Sequence, residues 1–79
     1  MNNFVVYSKT GCPYCDKVKK VLESLDVNLT IYQLNVDFSR EQFYDEFGEG
    51  STFPQVVVGD KKIGGCSSTI KYLKENKYV

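Results

Sequence analysis

The chain has no histidine and no tryptophan, one methionine, two prolines and a single arginine among its 79 residues. Without histidine, a zinc site would need four sulfur or carboxylate ligands, and only three thiols exist, so no structural zinc and no other metal is expected. The cysteines are Cys12, Cys15 and Cys66, an odd number that does not make the paired framework of a small secreted protein. Neither sign of charge dominates: ten basic and ten acidic side chains cancel, and a pI near 6.2 argues against a nucleic-acid binder. No apolar run approaches the ~20 residues of a membrane span. The sequence enters an apolar strand with neither a basic region nor a cleavage site before it, so no signal peptide and a cytoplasmic location are expected.

What is present is an ordinary globular balance, 42% hydrophobic and 25% charged, with six Tyr and five Phe. This length makes one small domain, 1–79, with a compact core. Phe4-Val5-Val6-Tyr7 reads as a strand and Ser8-Lys9-Thr10-Gly11 as a loop. Pro13 suits a first helical position, and Val18, Val21, Leu22 and Leu25 recur at helical spacing until Asp26-Val27-Asn28 breaks the helix. A second strand is expected over 29–36, with a slip of phase at Tyr32-Gln33 that suggests a bend or bulge. Ser39 and Gln42 form a capping box ahead of a short helix with Phe43, Tyr44 and Phe47 on its apolar side. A hairpin joins 54–58 to 61–63 through Gly59-Asp60, and a last helix spans 67–76 with Ile70, Tyr72 and Leu73 inward. The order β-α-β-α-β-β-α, opening on a right-handed parallel crossover and closing on an antiparallel hairpin, predicts an α/β fold: a mixed four-stranded sheet covered by three helices.

The Cys12–Cys15 pair carries the strongest chemical signal. Residues three apart in a helix's first turn are close enough to bridge. Cys12 sits just before the helix, where free N–H groups and the positive end of the dipole favour a thiolate, and Lys9 is near in sequence. Cys15, a turn further in, is expected to be covered. The asymmetry suits disulfide exchange, Cys12 attacking and Cys15 resolving. The bland alternative, two incidental buried cysteines, fits poorly with a strand, cysteine pair and helix in succession.

With these residues in view the chain resembles the glutaredoxin family, a dithiol branch of the thioredoxin-like proteins. Cys12-Pro13-Tyr14-Cys15 matches the family's dithiol motif, Thr52-Phe53-Pro54 lies where it has Thr-Val-Pro, and Gly64-Gly65-Cys66-Ser67-Ser68 lies where it has Gly-Gly-Cys-Ser/Asp-Asp. Thioredoxins usually carry Trp-Cys-Gly-Pro-Cys, and this chain has no Trp. The resemblance implies a thioredoxin-like fold and a cis bond before Pro54, which would turn the Phe53 backbone toward the thiols; the alternative is that Pro54 merely begins a strand. It implies glutathione as co-substrate, held by Lys9, Tyr14, Arg40 or Gln42, Thr52, Phe53, Pro54, Gly65, Cys66, Ser67 and Ser68. In that arrangement Lys9 faces the glycyl carboxylate and the N–H groups ahead of the last helix take the γ-glutamyl carboxylate. The family's acid at the last position is Ser68 here, which accepts a hydrogen bond without charge. Ser67 and Ser68 also read as helix caps, Arg40 as a solvated helix charge and Cys66 as a small hydrophobe.

Residues 1–20 carry four Lys and one Asp, residues 21–60 one Arg against eight acids, and residues 61–79 five Lys and one Glu. The two basic ends hold Cys12 and Gly64-Gly65, so a positive rim around the thiols is expected to attract anionic glutathione, unless these charges are simply a solvated surface. The sequence thus reads as a monomeric, glutathione-dependent thiol–disulfide oxidoreductase acting on protein disulfides and glutathione mixed disulfides, with no nucleic-acid or membrane partner. Ribonucleotide reductase is a client typical of the family, and small members also occur in viruses, which would place the protein in host cytoplasm. Two rivals share the motif: a redoxin recharged by thioredoxin reductase, and an iron–sulfur carrier ligated through Cys12 and glutathione, against which Pro13 and Tyr14 argue.

Overall fold

The computed structural model describes residues 3–79; the first two, on which the reading of the N-terminus partly rests, lie outside the described residues. The elements follow the expected order: β1 (Asn3–Ser8), α1 (Pro13–Glu23), β2 (Asn28–Gln33), α2 (Arg40–Phe47), β3 (Gln55–Val58), β4 (Lys61–Gly64) and α3 (Cys66–Glu75). They form one four-stranded sheet in the order β2-β1-β3-β4. Strands β1 and β2 are parallel, from Asn3 opposite Asn28 to Ser8 opposite Gln33, while β3 runs antiparallel to both β1 and β4. The fold is the thioredoxin-like α/β arrangement expected from the motifs.

Alternation along β1 divides the molecule into two sides. Phe4 and Val6 point one way and join Val56, Val58, Val18, Leu22, Cys66 and Leu73 in a core of aliphatic and small side chains beneath α1 and α3. The rings of Tyr72 and Tyr78 meet Phe4 edge-on at 6.3 and 5.5 Å. Tyr7 points the other way, toward α2, where its ring meets those of Phe38, Phe47 and Phe43 at 5.2, 4.9 and 6.4 Å. None of the helices among the described residues is long and apolar enough to cross a membrane.

Among the boundaries that differ from the sequence reading, three have a local reason. Helix α1 stops at Glu23, because Ser24 caps it with its hydroxyl donating to the Val21 carbonyl at 2.6 Å; Leu25 packs against the core from outside the helix. Strand β2 ends at Gln33 and does not run to Val36. Its N–H there is taken by the Asp37 carboxylate at 2.8 Å, Asn35 turns into the left-handed region at φ 66, and Val36 is left exposed. The slip at Tyr32-Gln33 therefore marks a turn rather than a bend within a strand. Helix α3 starts one residue early, at Cys66 with Gly65 as its N-cap, so Ser67 and Ser68 are inside the first turn and neither caps it. The capping box of α2 forms as read: the Ser39 hydroxyl accepts from the Gln42 N–H at 3.1 Å and the Gln42 carbonyl oxygen accepts from the Ser39 N–H at 2.8 Å.

Candidate active site

The loop from β1 to α1 brings the cysteine pair to the end of the sheet. Gly11 adopts φ +73, a conformation open to glycine at little cost, and so turns the chain into the helix. Gln33, at the end of β2, steadies this loop: its side-chain amide donates to the Thr10 hydroxyl at 2.8 Å, and its carbonyl oxygen accepts from the buried Ser8 hydroxyl at 3.3 Å. Sequence reasoning placed Gln33 only in a strand; nothing in its position along the chain announces a contact with a loop more than twenty residues away.

Cys12 is the N-cap of α1, in extended conformation, with Pro13 beginning the helix. Its sulfur accepts the Cys15 N–H at 3.2 Å, and its carbonyl accepts the Asp16 N–H at 3.1 Å. Cys12 and Cys15 are joined as a disulfide, with Cα atoms 5.2 Å apart. Cys15 is wholly buried and Cys12 retains 6% exposure. The order of coverage is the expected one, yet Cys12 is more enclosed than a position ahead of a helix suggests, because its sulfur folds back over the first turn. In this disulfide form the Cys12 sulfur lies beside the Cys15 N–H, at the positive end of the α1 dipole.

A groove of about 240 Å³ is lined by Tyr14, Thr52, Phe53, Pro54, Gly65, Cys66 and Ser67. It gathers residues from all three motifs. The Phe53–Pro54 peptide is cis, and a Cβ on Gly65 would lie 3.5 Å from the Pro54 carbonyl oxygen, so the two segments run in close contact. Tyr14 is mostly exposed at the groove. The Lys9 ammonium stands 5.4 Å from the Phe53 ring centre, within cation–π range. Gly65 offers α3 no side-chain cap, which leaves first-turn N–H groups of α3 open to an anion on the groove side. Cys66 is buried and belongs to the core.

Other residues singled out from the sequence lie elsewhere. Ser68 packs beside Gly64, where a Cβ would meet it at 3.2 Å, and lines a separate recess with Lys61 and Lys71. Arg40 donates to the Tyr44 hydroxyl at 3.4 Å and borders a depression on α2 with Glu41, Asp45 and Glu49. Gln42 is engaged in its capping box and faces a cleft under α2. The basic rim is only partly assembled: Lys9 stands at the groove, whereas Lys61 lies over Tyr72, and Lys62 lies over Phe47 and pairs with Glu46 at 3.6 Å. What sequence reasoning missed is the stacking of Phe53 on Phe43, 4.1 Å apart at 10°, which ties the groove to α2. The signal was the run of aromatics from Phe38 to Phe53.

Comparison with known proteins agrees with this geometry. The sequence profile of the Glutaredoxin family matches residues 4–63. A glutaredoxin of Ricinus communis is 39% identical over 71 residues, covering 86% of this chain and 70% of its own. A buckwheat glutaredoxin, solved as a complex with glutathione, superposes with a TM-score of 0.78 at 32% identity, over 98% of this chain and 73% of that one. Glutaredoxin 1 of Francisella tularensis, solved with cacodylate, gives a TM-score of 0.78 at 26% identity, over 98% and 96% of the two chains.

Proposed function

The chain belongs to the glutaredoxin family and is built as a thiol–disulfide oxidoreductase; on that premise we propose that glutathione is its reductant and that protein disulfides and glutathione mixed disulfides are its substrates. The observation that carries the reading is the position of Cys12: a helix-capping sulfur beside the Cys15 N–H, with Cys15 buried one turn behind and the Tyr14–Phe53–Gly65 groove alongside.

With a glutathionylated protein, the Cys12 thiolate attacks the glutathione sulfur, and the protein leaves as a thiolate that takes up a proton. A second glutathione thiolate attacks the sulfur of the bound glutathione, releasing oxidised glutathione and the Cys12 thiolate. With a protein disulfide, Cys12 attacks one sulfur and the other leaves as a thiolate. Cys15, on losing its proton, then displaces the protein and forms the Cys12–Cys15 disulfide, which two glutathione molecules reduce in two exchanges. Lys9 at the groove supplies a cation for the glycyl carboxylate, and the first-turn N–H groups of α3 supply donors for the γ-glutamyl carboxylate. Tyr14 and the Thr52–Pro54 segment form the wall between them. Ribonucleotide reductase, in the cytosol where thiols are kept reduced, is the protein client to test first.

The test is the rate of reduction of a glutathionylated peptide, coupled to glutathione reductase. Cys12→Ser should fall to the uncatalysed rate, since Cys15 is wholly buried and Cys66, although it lines the groove, packs into the core. Cys15→Ser should keep this activity and lose reduction of protein disulfides, the reaction that needs an internal resolving thiol. Equal loss of both activities in Cys15→Ser would remove the division of roles. The position of Ser68, off the groove and without charge, favours a second reading in which thioredoxin reductase recharges the dithiol; turnover with that enzyme and none with glutathione would establish it.

A further inference from the structure

A second recess, of about 230 Å³, opens under α2 on the opposite side of the Phe53–Phe43 ring pair from the groove. It is lined by Tyr7, Tyr32, Phe38, Phe43 and Gln42, and by Asp37 and Glu46, whose carboxylates also accept the Gln33 N–H at 2.8 Å and pair with Lys62 at 3.6 Å. Among the described residues no lysine or arginine lines it. Aromatic faces together with carboxylates are surroundings that hold an organic cation: the ring quadrupoles attract the charge, and a carboxylate pairs with it. The same helix already holds one cation by this means, since the Lys62 ammonium lies 5.5 Å from the Phe47 ring centre and 3.6 Å from a Glu46 oxygen.

The recess adjoins the groove through one pair of stacked rings. Phe53 borders the groove beside the cysteines, and Phe43, on which it stacks, borders the recess, so one pair of rings separates the two. We propose that this cleft is a subsite for a lysine or arginine side chain of the protein whose disulfide is attacked by Cys12, so that the protein selects disulfides flanked by a basic residue. The proposal rests on the reading of Cys12 as the attacking thiol. The glutathione contacts proposed above, Lys9 and the first-turn N–H groups of α3, lie outside this cleft, and the subsite is proposed for the protein substrate alone.

The experiment compares disulfide peptides carrying lysine at successive positions beside the attacked cysteine with their norleucine counterparts, at low salt. One lysine peptide should show a KM lower by about fivefold, with kcat little changed, and the advantage should shrink as salt is added. Glu46→Gln and Tyr32→Leu should each bring the ratio of the two KM values toward one. In parallel, n-butylammonium chloride should produce saturable shifts of the Tyr7 and Tyr32 ring resonances, and n-butanol should not. Equal KM values for every lysine and norleucine pair would overturn the proposal. Binding of butylammonium without a peptide preference would assign the cleft to a free cation and overturn the substrate role. Should no peptide be turned over, the fault lies with the reading of the cysteine site, and the ring resonances, followed as each peptide is added, decide the cleft separately.

Discussion

The two sides of the sheet are built from different materials. Beneath α1 and α3, Phe4, Val6, Val18, Leu22, Val56 and Leu73 are all at 0% exposure and interlock as aliphatic packing around one phenylalanine. Beneath α2 the contacts are ring on ring, with Phe43 buried at 1%, while Tyr7 and Phe47 are partly open and Tyr32 is 37% exposed. The aliphatic side fixes the start of α1, and so the cysteine pair, against a rigid base. The aromatic side leaves rings and acids at the surface, where they can meet another molecule. Through the alternation of Val6 and Tyr7, opposite faces of one strand, β1, thus carry a closed aliphatic core and a partly open aromatic one.

That contrast has a measurable consequence for stability. Phe4→Ala empties a fully enclosed position and should cost about 3–5 kcal/mol, a large share of what so small a domain possesses. Phe47→Ala removes a half-open ring whose place water can enter, and should cost about half as much. Urea unfolding of the two variants reads the difference. Equal losses would mean that the α2 side is as tightly packed as the other, and the division between the faces would fail.

The same contrast governs how much could be read beforehand. The aliphatic side was legible because helical spacing at Val18, Val21 and Leu22 and the β-branched runs at Val5-Val6 and Val56-Val57-Val58 are local signals of burial. The cysteine pair and the capping box of α2 were legible for the same reason, since Cys12 and Cys15, like Ser39 and Gln42, lie within one turn of each other. Phe53 on Phe43, Lys9 over Phe53 and Gln33 to Thr10 were not legible. Each joins residues of different elements or loops through a side-chain geometry that spacing does not encode. The end of β2 was misread because Leu34 and Val36 continue an apolar alternation, while Asp37, by capping the Gln33 N–H, and Asn35, by turning left-handed, stop the strand.

A smaller effect is expected at Tyr7. Burial, then Tyr32, then Glu46 hold its phenol above the ordinary tyrosine value of 10.0. A raised pKa means that folding favours the neutral phenol. Its contribution to stability is present in full below the unfolded value and is lost as pH rises through the folded one. Wild type should therefore lose stability on alkaline titration more steeply than Tyr7→Phe, which has no phenol to ionise at that position. Urea midpoints taken at increasing pH up to and beyond about 10 measure this. Parallel curves for the two proteins would place Tyr7 in contact with solvent and weaken the account of the aromatic face.

The smallest expected effect lies at Ser68, on the helix of the aliphatic side but at its exposed start. Ser68→Asp restores the acid found at this position in the family and places a carboxylate in the first turn of α3, where the helix dipole tolerates it. If that carboxylate meets the amino group of glutathione, binding should tighten by roughly 0.5–1 kcal/mol at an exposed site. One feature of the structure works against the gain. Ser68 packs on Gly64 and shares its recess with Lys61 and Lys71, and either ammonium competes for the new charge. The expected result is a lower KM for a glutathionylated peptide with kcat level, measured at low salt against wild type. Lys61→Gln in the Ser68→Asp background sharpens it: a further fall in KM shows that the lysine was holding the carboxylate. An unchanged KM in both variants shows that position 68 faces away from glutathione, and that the groove side of α3 binds through its backbone N–H groups without help from that side chain.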